Sequence, residues 1–393
     1  MKYWFGYLTA GILAALTWVL AQFGQRYATL VDMVYPYVDR ALQEMLAKWT
    51  SQVSYPVWQL LAVVLGVLIL ASIVLMIVLK WNPVQWAGWV LAVFAGIYLM
   101  NTLMWGMNYY AGSLADDMRL EVSSYNLDEL TEATEYYRDK ANALAGKVNR
   151  DANGNVEFAD FETLAEKAGE GFHTLTYENH YPVFAGCTLP VKKLDWADMY
   201  TSMGITGYTF GITGEACVNP QIPDVLLPFT MAHEMSHRMC IASERDANFA
   251  AFLACSVHSD PEFQYSAYFM AFRYCYIALS SVNTQAAAAA AARVKQGIGE
   301  ELRRDWNAYD AFFSQKQDTR ATQLADTVND TYLKTSGEKS GIGSYAEVCD
   351  LLVNWHIQTV VLPSITVEKS YFDPYDETMV DLSGIVNAKG GIG

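Results

Sequence analysis

The stretch "PFTMAHEMSHRMCIASERDANFAAFLAC", Pro228–Cys255, decides how this chain is read. It holds His-Glu-x-x-His as His233, Glu234 and His237, then Glu-x-x-Ala-Asn as Glu244, Ala247 and Asn248. On a helix, residues four apart project from one face a turn apart, so both imidazoles can reach one ion. Glu234 lies about 100° round from His233, where a carboxylate can take a proton from a water held at that ion. On an unbroken helix Glu244 would share the His237 face but sit roughly 10 Å further along the axis. Donors to one zinc are only about 3–4 Å apart. Glu244 is therefore a third ligand only if the helix breaks. Ser243 with Asp246 three residues later reads as a new helix start, with Ile241 and Ala242 forming the corner.

The flanks "LLPFTMA" and "NFAAFLAC" are apolar, so this face is expected to be buried, where unpartnered His and Glu are costly. Two solvated histidines on a capped surface helix fit those flanks poorly. His258, Asp260 and Glu262 compete with Glu244 as third ligand, while Cys240, three residues from His237, fits less well. Two imidazoles and a carboxylate form an open set suited to Zn2+. Asn248, one turn after Glu244, is placed to support a ligand without touching the ion.

Outward from this stretch, hydrophobic residues make up 52% of the 393 and charged residues 17%, more apolar than a typical soluble protein. Apolar runs at about 3–23, 57–79 and 86–104 each approach the ~20 residues that cross a bilayer. The first is too long for a signal-peptide core and lacks a clear small-x-small cleavage site. Trp81, Trp86 and Trp89 flank Lys80, as at a lipid–water interface. The second run carries no charge, which argues against a transporter pathway. Residues 1–104 hold five basic side chains (Lys2, Arg26, Arg40, Lys48, Lys80) against Asp32, Asp39 and Glu44, a net +2, so the remainder carries −18 of the chain's net −16. So acidic a domain is a poor partner for nucleic acid. Lys2 and Lys80, on two very short segments, favour a cytoplasmic amino terminus by charge density, which puts residues after the third crossing outside the cytoplasm, whereas the raw count of Arg26, Arg40 and Lys48 on the other side favours the reverse. The expected organisation is a membrane region at 1–104, a mainly helical, zincin-like domain at 105–370 and a tail at 371–393.

Between the first two crossings, "YVDRALQEMLAKW" has helical spacing suited to a membrane surface. Lys80–Gln85, with Pro83, reads as a tight turn. Asn126 and Glu129 read as a capping box. "DANGNVEFADFE" imitates a calcium loop but has Val156 where the glycine belongs, so an Asn-Gly turn is the simpler reading. "ITGYTFGI" and "EACVN" read as short strands before the metal-binding helix. The Ala286–Ala292 run is a strong helix former. No Cys-x-x-Cys occurs, and Cys187 with Cys217 is the favoured disulfide if the domain is extracytoplasmic.

The His-Glu-x-x-His…Glu pattern resembles the gluzincin metallopeptidases. More closely, the chain resembles the bacterial family called domain of unknown function 3810, a group of predicted membrane zinc peptidases. The matching pieces are "WGMNYY", "GEACVNPQIPDVLLPFTMAHEMSH", "SERDANFAAFLAC", "SDPEFQYSAYF" and "YLKTSGEKSGIGSYAEVCDLL". The resemblance implies a multi-pass protein of the bacterial cytoplasmic membrane, with His233, His237 and Glu244 as ligands and Glu234 as base. Asn248 stands where gluzincins often have Asp, and Cys240 where a corner glycine is expected. An oxyanion donor is sought in the resembling segments, at Tyr345 first, then Tyr332, Arg273 and Tyr265. By the same analogy "EACVN" could present an edge to an extended substrate. The function expected is a membrane-anchored zinc metallopeptidase acting on a peptide or protein. The alternative is a membrane-tethered binding or scaffold module with a structural metal.

Overall fold

The computed structural model describes residues 4–314, 320, 322–324, 326–327, 330–331 and 344–363, the side chains of 344–346 excepted. Tyr332 and the tail at 371–393 lie outside the described residues.

All three apolar runs are helices long and apolar enough to cross a membrane: α1 (Phe5–Arg26), α3 (Val57–Val78) and α4 (Pro83–Met104). The expected turn at 80–85 is shorter, because Asn82 caps α4 from Val84 N and Gln85 N with Pro83 at the first helical position. α1 and α4 run side by side in the same direction, Gly6 lying against Gly88 and Leu13 against Gly96. A Cβ on Gly6 would fall 2.5 Å from the Gly88 carbonyl carbon, so the two backbones meet where neither residue has a side chain. Only Gln59 of α3 is buried, so its apolar surface is left uncovered by the rest of the described chain.

Helix α2 (Ala28–Thr50) buries Val31, Asp39, Gln43 and Ala47, a stripe at four-residue spacing. That stripe meets the segment after α4 and the corner of the soluble region. The soluble region continues through α5 (Leu114–Met118), α6 (Leu127–Ala145), α7 (Phe161–Lys167), α8 (Glu170–Tyr177) and α9 (Ala197–Ser202). The Asn126–Glu129 capping box that starts α6 is formed, each side chain bonding the other's backbone N–H. At residues 151–155 the Asp151 carboxylate accepts from Asn153 N and Asn155 N, a turn held by its own aspartate.

Three short strands follow the order β1 (Lys192–Lys193), β3 (Glu215–Val218), β2 (Gly207–Phe210). β3 pairs parallel with β1 and antiparallel with β2. "EACVN" therefore forms the central strand and presents no edge, contrary to the sequence expectation. Its second partner is only two lysines long, too short for any alternation to reveal.

Beyond the sheet lie α10 (Leu227–Arg238), α11 (Glu244–Ser256), α12 (Pro261–Ser281), α13 (Gln285–Gln296), α14 (Glu300–Ser314) and α15 (Ser344–His356). α11 is the hub, packed by α8, α10, α12 and α15, with Phe249, Ala250, Ala251 and Leu253 fully buried. Alanines on one face let α8 approach closely: a Cβ on Gly171 would fall 2.0 Å from Ala254 O. All six cysteines are free and buried. The expected Cys187–Cys217 disulfide is absent because Cys217 points from β3 into a cluster with Leu194 and Tyr200.

Candidate metal centre

Helix α10 carries His233, Glu234 and His237 and ends at Arg238; α11 begins at Glu244. The required break is there. It is a Schellman turn, with Ile241 N bonded to Ser236 O at 3.1 Å and Cys240 N to His237 O at 2.9 Å. The residue that must be left-handed is Cys240, at φ 70°. The departure noted in the sequence thus falls where glycine is favoured, and the turn forms regardless. Ser243 occupies the cap position of α11 with extended backbone, but its side chain makes no capping bond.

The turn folds Glu244 back onto the two histidines. His233 Nε2 lies 3.1 Å from His237 Nε2 and 3.3 Å from Glu244 Oε2. His237 Nε2 lies 3.6 Å from Glu244 Oε1. A tetrahedral ion with bonds near 2.0–2.1 Å sets its donors about 3.3 Å apart, so the set fits such an ion. Among the described residues, His233, His237 and Glu244 are the group whose donor atoms converge on a possible metal position. His237 Nδ1 lies 2.8 Å from Ile241 O, so Nδ1 donates to that carbonyl and Nε2 is the ring atom that faces Glu244. His233 Nδ1 is buried with no hydrogen-bond partner.

Burial disfavours the charged form of His237, yet the adjacent Glu244 carboxylate overrides it and lifts the imidazole to about 9. Burial would likewise raise Glu244, but the flanking His233 and His237 hold it well below the usual carboxylate range. The cluster favours positive charge at its centre, which a divalent cation supplies.

Glu234, 4% exposed, is not part of the converging set. Thr209 Oγ1 lies 2.7 Å from Glu234 Oε2 and 2.8 Å from Glu234 O. Gly207, on the same face of β2, lies so close that a Cβ there would be 2.5 Å from Glu234 Oε1. Burial pushes the Glu234 carboxyl up, against the opposing pull of His233, His237 and Thr209.

The rival ligands have other work. His258 bonds Lys167 O and Asp260 N, Asp260 caps α12 and pairs with Lys167, and Glu262 accepts from Ala159 N. Asn248 accepts from the Tyr274 hydroxyl at 3.1 Å, and its Nδ2 is buried without a partner. No hydrogen bond among the described residues joins Asn248 to a ligand. Tyr265 bonds Asp305, and Arg273 pairs with Asp310 over the Trp306 and Tyr309 rings. Tyr345 starts α15, its side chain outside the described residues. Thr209, Gly207 and the Ile241 carbonyl were missed in the sequence; only the period-two spacing of Gly207 and Thr209 hints that both share a face.

The family described as "Protein of unknown function (DUF3810)" matches residues 32–353. The chain belongs to that family. The match begins inside α2 and ends inside α15, so it takes in both later membrane helices and the whole candidate centre. No curated protein and no solved structure matches this DUF3810 chain.

Proposed function

We propose that this chain is a membrane-anchored metallopeptidase that hydrolyses peptide bonds, with His233, His237 and Glu244 holding Zn2+ and Glu234 moving protons. The observation that carries the reading is Glu234: a buried carboxylate beside three convergent donors, held on one oxygen by Thr209 and, among the described residues, with no hydrogen-bond partner on the other, which faces Gly207. A site that only staples a fold has no use for such a group. A divalent cation held by the three donors would supply Lewis-acid polarisation of a carbonyl and a more acidic water.

The chain's own part follows from the geometry. Thr209 fixes Oε2 of Glu234, so Oε1 is the atom free to accept a proton from the attacking water and return it to the leaving amine. Burial raises the Glu234 carboxyl above its ordinary value, which strengthens it as a proton acceptor. The Nδ1 contact to Ile241 O keeps the His237 Nε2 lone pair aimed inward.

The membrane arrangement supports an extracytoplasmic centre in a multi-pass bacterial protein. The start of α1 and the turn carrying Lys80 share one end of the helices, while α2, the start of α3 and the end of α4 join the soluble region at the other. Lys80 thus lies on a short segment opposite the domain, the sequence before α1 also carries a lysine, and short basic segments favour the cytoplasm.

The test pairs zinc content with cleavage of a broad peptide library by purified full-length protein. Glu234→Gln should keep zinc and lose at least the ~10²–10⁴ typical of acid–base catalysis. His233→Ala should lose both. Cleavage by Glu234→Gln at the wild-type rate refutes the mechanism.

A further inference from the structure

The corner between the ligand helices is held from outside the soluble region. Three side chains of the membrane-attached segment reach it. Trp105, directly after α4, donates Nε1–H to His237 O at 3.2 Å. Arg40, on α2, donates Nε–H to Met239 O at 3.2 Å. Both carbonyls belong to the C-terminal end of α10, where acceptors lack an intrahelical donor; His237 O also takes Cys240 N within the turn. Asp39, 2% exposed on α2, has its Oδ2 3.5 Å from Cys240 Sγ.

Cys240 is the strained residue of the turn, since a non-glycine side chain in the left-handed region is disfavoured. Its thiol has a partner there that glycine would lack. Asp39 is itself fixed by Asn108 Nδ2 at 2.6 Å and Gln43 Nε2 at 3.2 Å. Gln43 also bonds Met104 O and Gly211 O, which ties the end of α4 to the loop after β2.

We infer that Asp39, Arg40 and Trp105 are positioning residues for the metal centre: they fix the Schellman turn that brings Glu244 onto His233 and His237. This rests on the metal reading above and extends it to residues far away in the chain. The centre is then complete only when α2 and the end of α4 are seated.

The test uses full-length protein in detergent and compares wild type with Trp105→Phe, Asp39→Asn and a remote control, Arg150→Gln, which breaks the Arg150–Asp305 pair. Two quantities are read: site-resolved alkylation of the cysteines by mass spectrometry, and zinc affinity by chelator competition. Trp105→Phe and Asp39→Asn should raise the alkylation rate of Cys240 at least about tenfold while Cys255 and Cys275 stay protected. Zinc affinity should fall about 10–100-fold, as when the partners of metal ligands are removed. Arg150→Gln should lower the unfolding temperature and change neither quantity. Cys240 as protected in both variants as in wild type, or labelling that rises equally at Cys255 and Cys275, overturns the inference. A wild-type chain that binds no zinc removes the metal reading, and the alkylation pattern still decides this one.

Discussion

Glu215→Gln should loosen the joint between the membrane helices and the soluble region. Glu215, 2% exposed on β3, accepts four hydrogen bonds. Oε1 takes Val57 N at 2.8 Å and Lys192 Nζ at 2.7 Å; Oε2 takes Trp58 N at 2.9 Å and Thr213 Oγ1 at 2.7 Å. Val57 and Trp58 open α3, so the carboxylate sits on the positive end of a membrane helix. Lys192 also donates to Thr50 O at 2.6 Å, at the end of α2. Each oxygen therefore faces one backbone N–H that cannot rotate away. Whichever way a glutamine amide is turned, its NH2 meets one of them. The change loses about 1.5–3 kcal/mol for a hydrogen bond to a charged group and leaves a buried donor unpaired at about 1–3 kcal/mol. That agrees with the 3–5 kcal/mol typical of breaking a buried ion pair from one side. The assay is equilibrium unfolding of full-length protein in detergent micelles, followed by tryptophan fluorescence, with Trp58 beside the substitution. A loss below about 1 kcal/mol would refute the reasoning, since it would mean that Lys192 and the start of α3 find other partners.

Gly207→Ala should lower peptide cleavage about 10²-fold with zinc retained, because the new Cβ, 2.5 Å from Glu234 Oε1, must push the carboxylate aside; equal activity at equal zinc content counts against Glu234 as the base. His356, 3% exposed against the Tyr136 ring, is pushed down to about 4 by burial. Its folded pKa is below the unfolded value, so its contribution to stability is full above about pH 6.5 and is lost as pH falls toward 4. Denaturant midpoints between pH 7.5 and 4.5 should therefore fall more steeply for wild type than for His356→Phe, and parallel slopes would exclude the effect. Ser243→Ala should change stability by less than about 0.5 kcal/mol, since no capping bond is lost; a measured loss above about 1 kcal/mol would show that the hydroxyl does cap α11.

The convergence of His233, His237 and Glu244 was legible because everything it needs lies within Pro228–Cys255. Four-residue spacing places the histidines, and the distance along a helix axis demands a break before Glu244. The three helices long and apolar enough to cross a membrane were legible for a similar reason: length and apolarity are local quantities. What failed was nonlocal. The central position of β3 depends on a two-lysine strand that reads as loop. Cys187 and Cys217 looked like a pair because their surroundings in sequence are loop-like, and burial of Cys217 against Leu194 and Tyr200 is a tertiary fact. Ser243 with Asp246 three residues on reads as a cap, and the backbone takes the cap conformation without using the hydroxyl.

The same distinction bears on what the membrane segment does. Read along the chain, residues up to 104 look like a leash for an acidic domain. In space, Lys192 and Glu215 bond the end of α2 and the start of α3, while Trp105 and Arg40 bond the end of the ligand helix. A pull on α2 or α4 therefore acts on the carbonyls of His237 and Met239, not on a slack linker. Truncation near Gly112 would keep the three donors and Glu234 in sequence yet strip the turn of Asp39, Arg40, Trp105 and Asn108. On that geometry a soluble fragment is expected to hold zinc more weakly than the full chain, although every proposed ligand is still present.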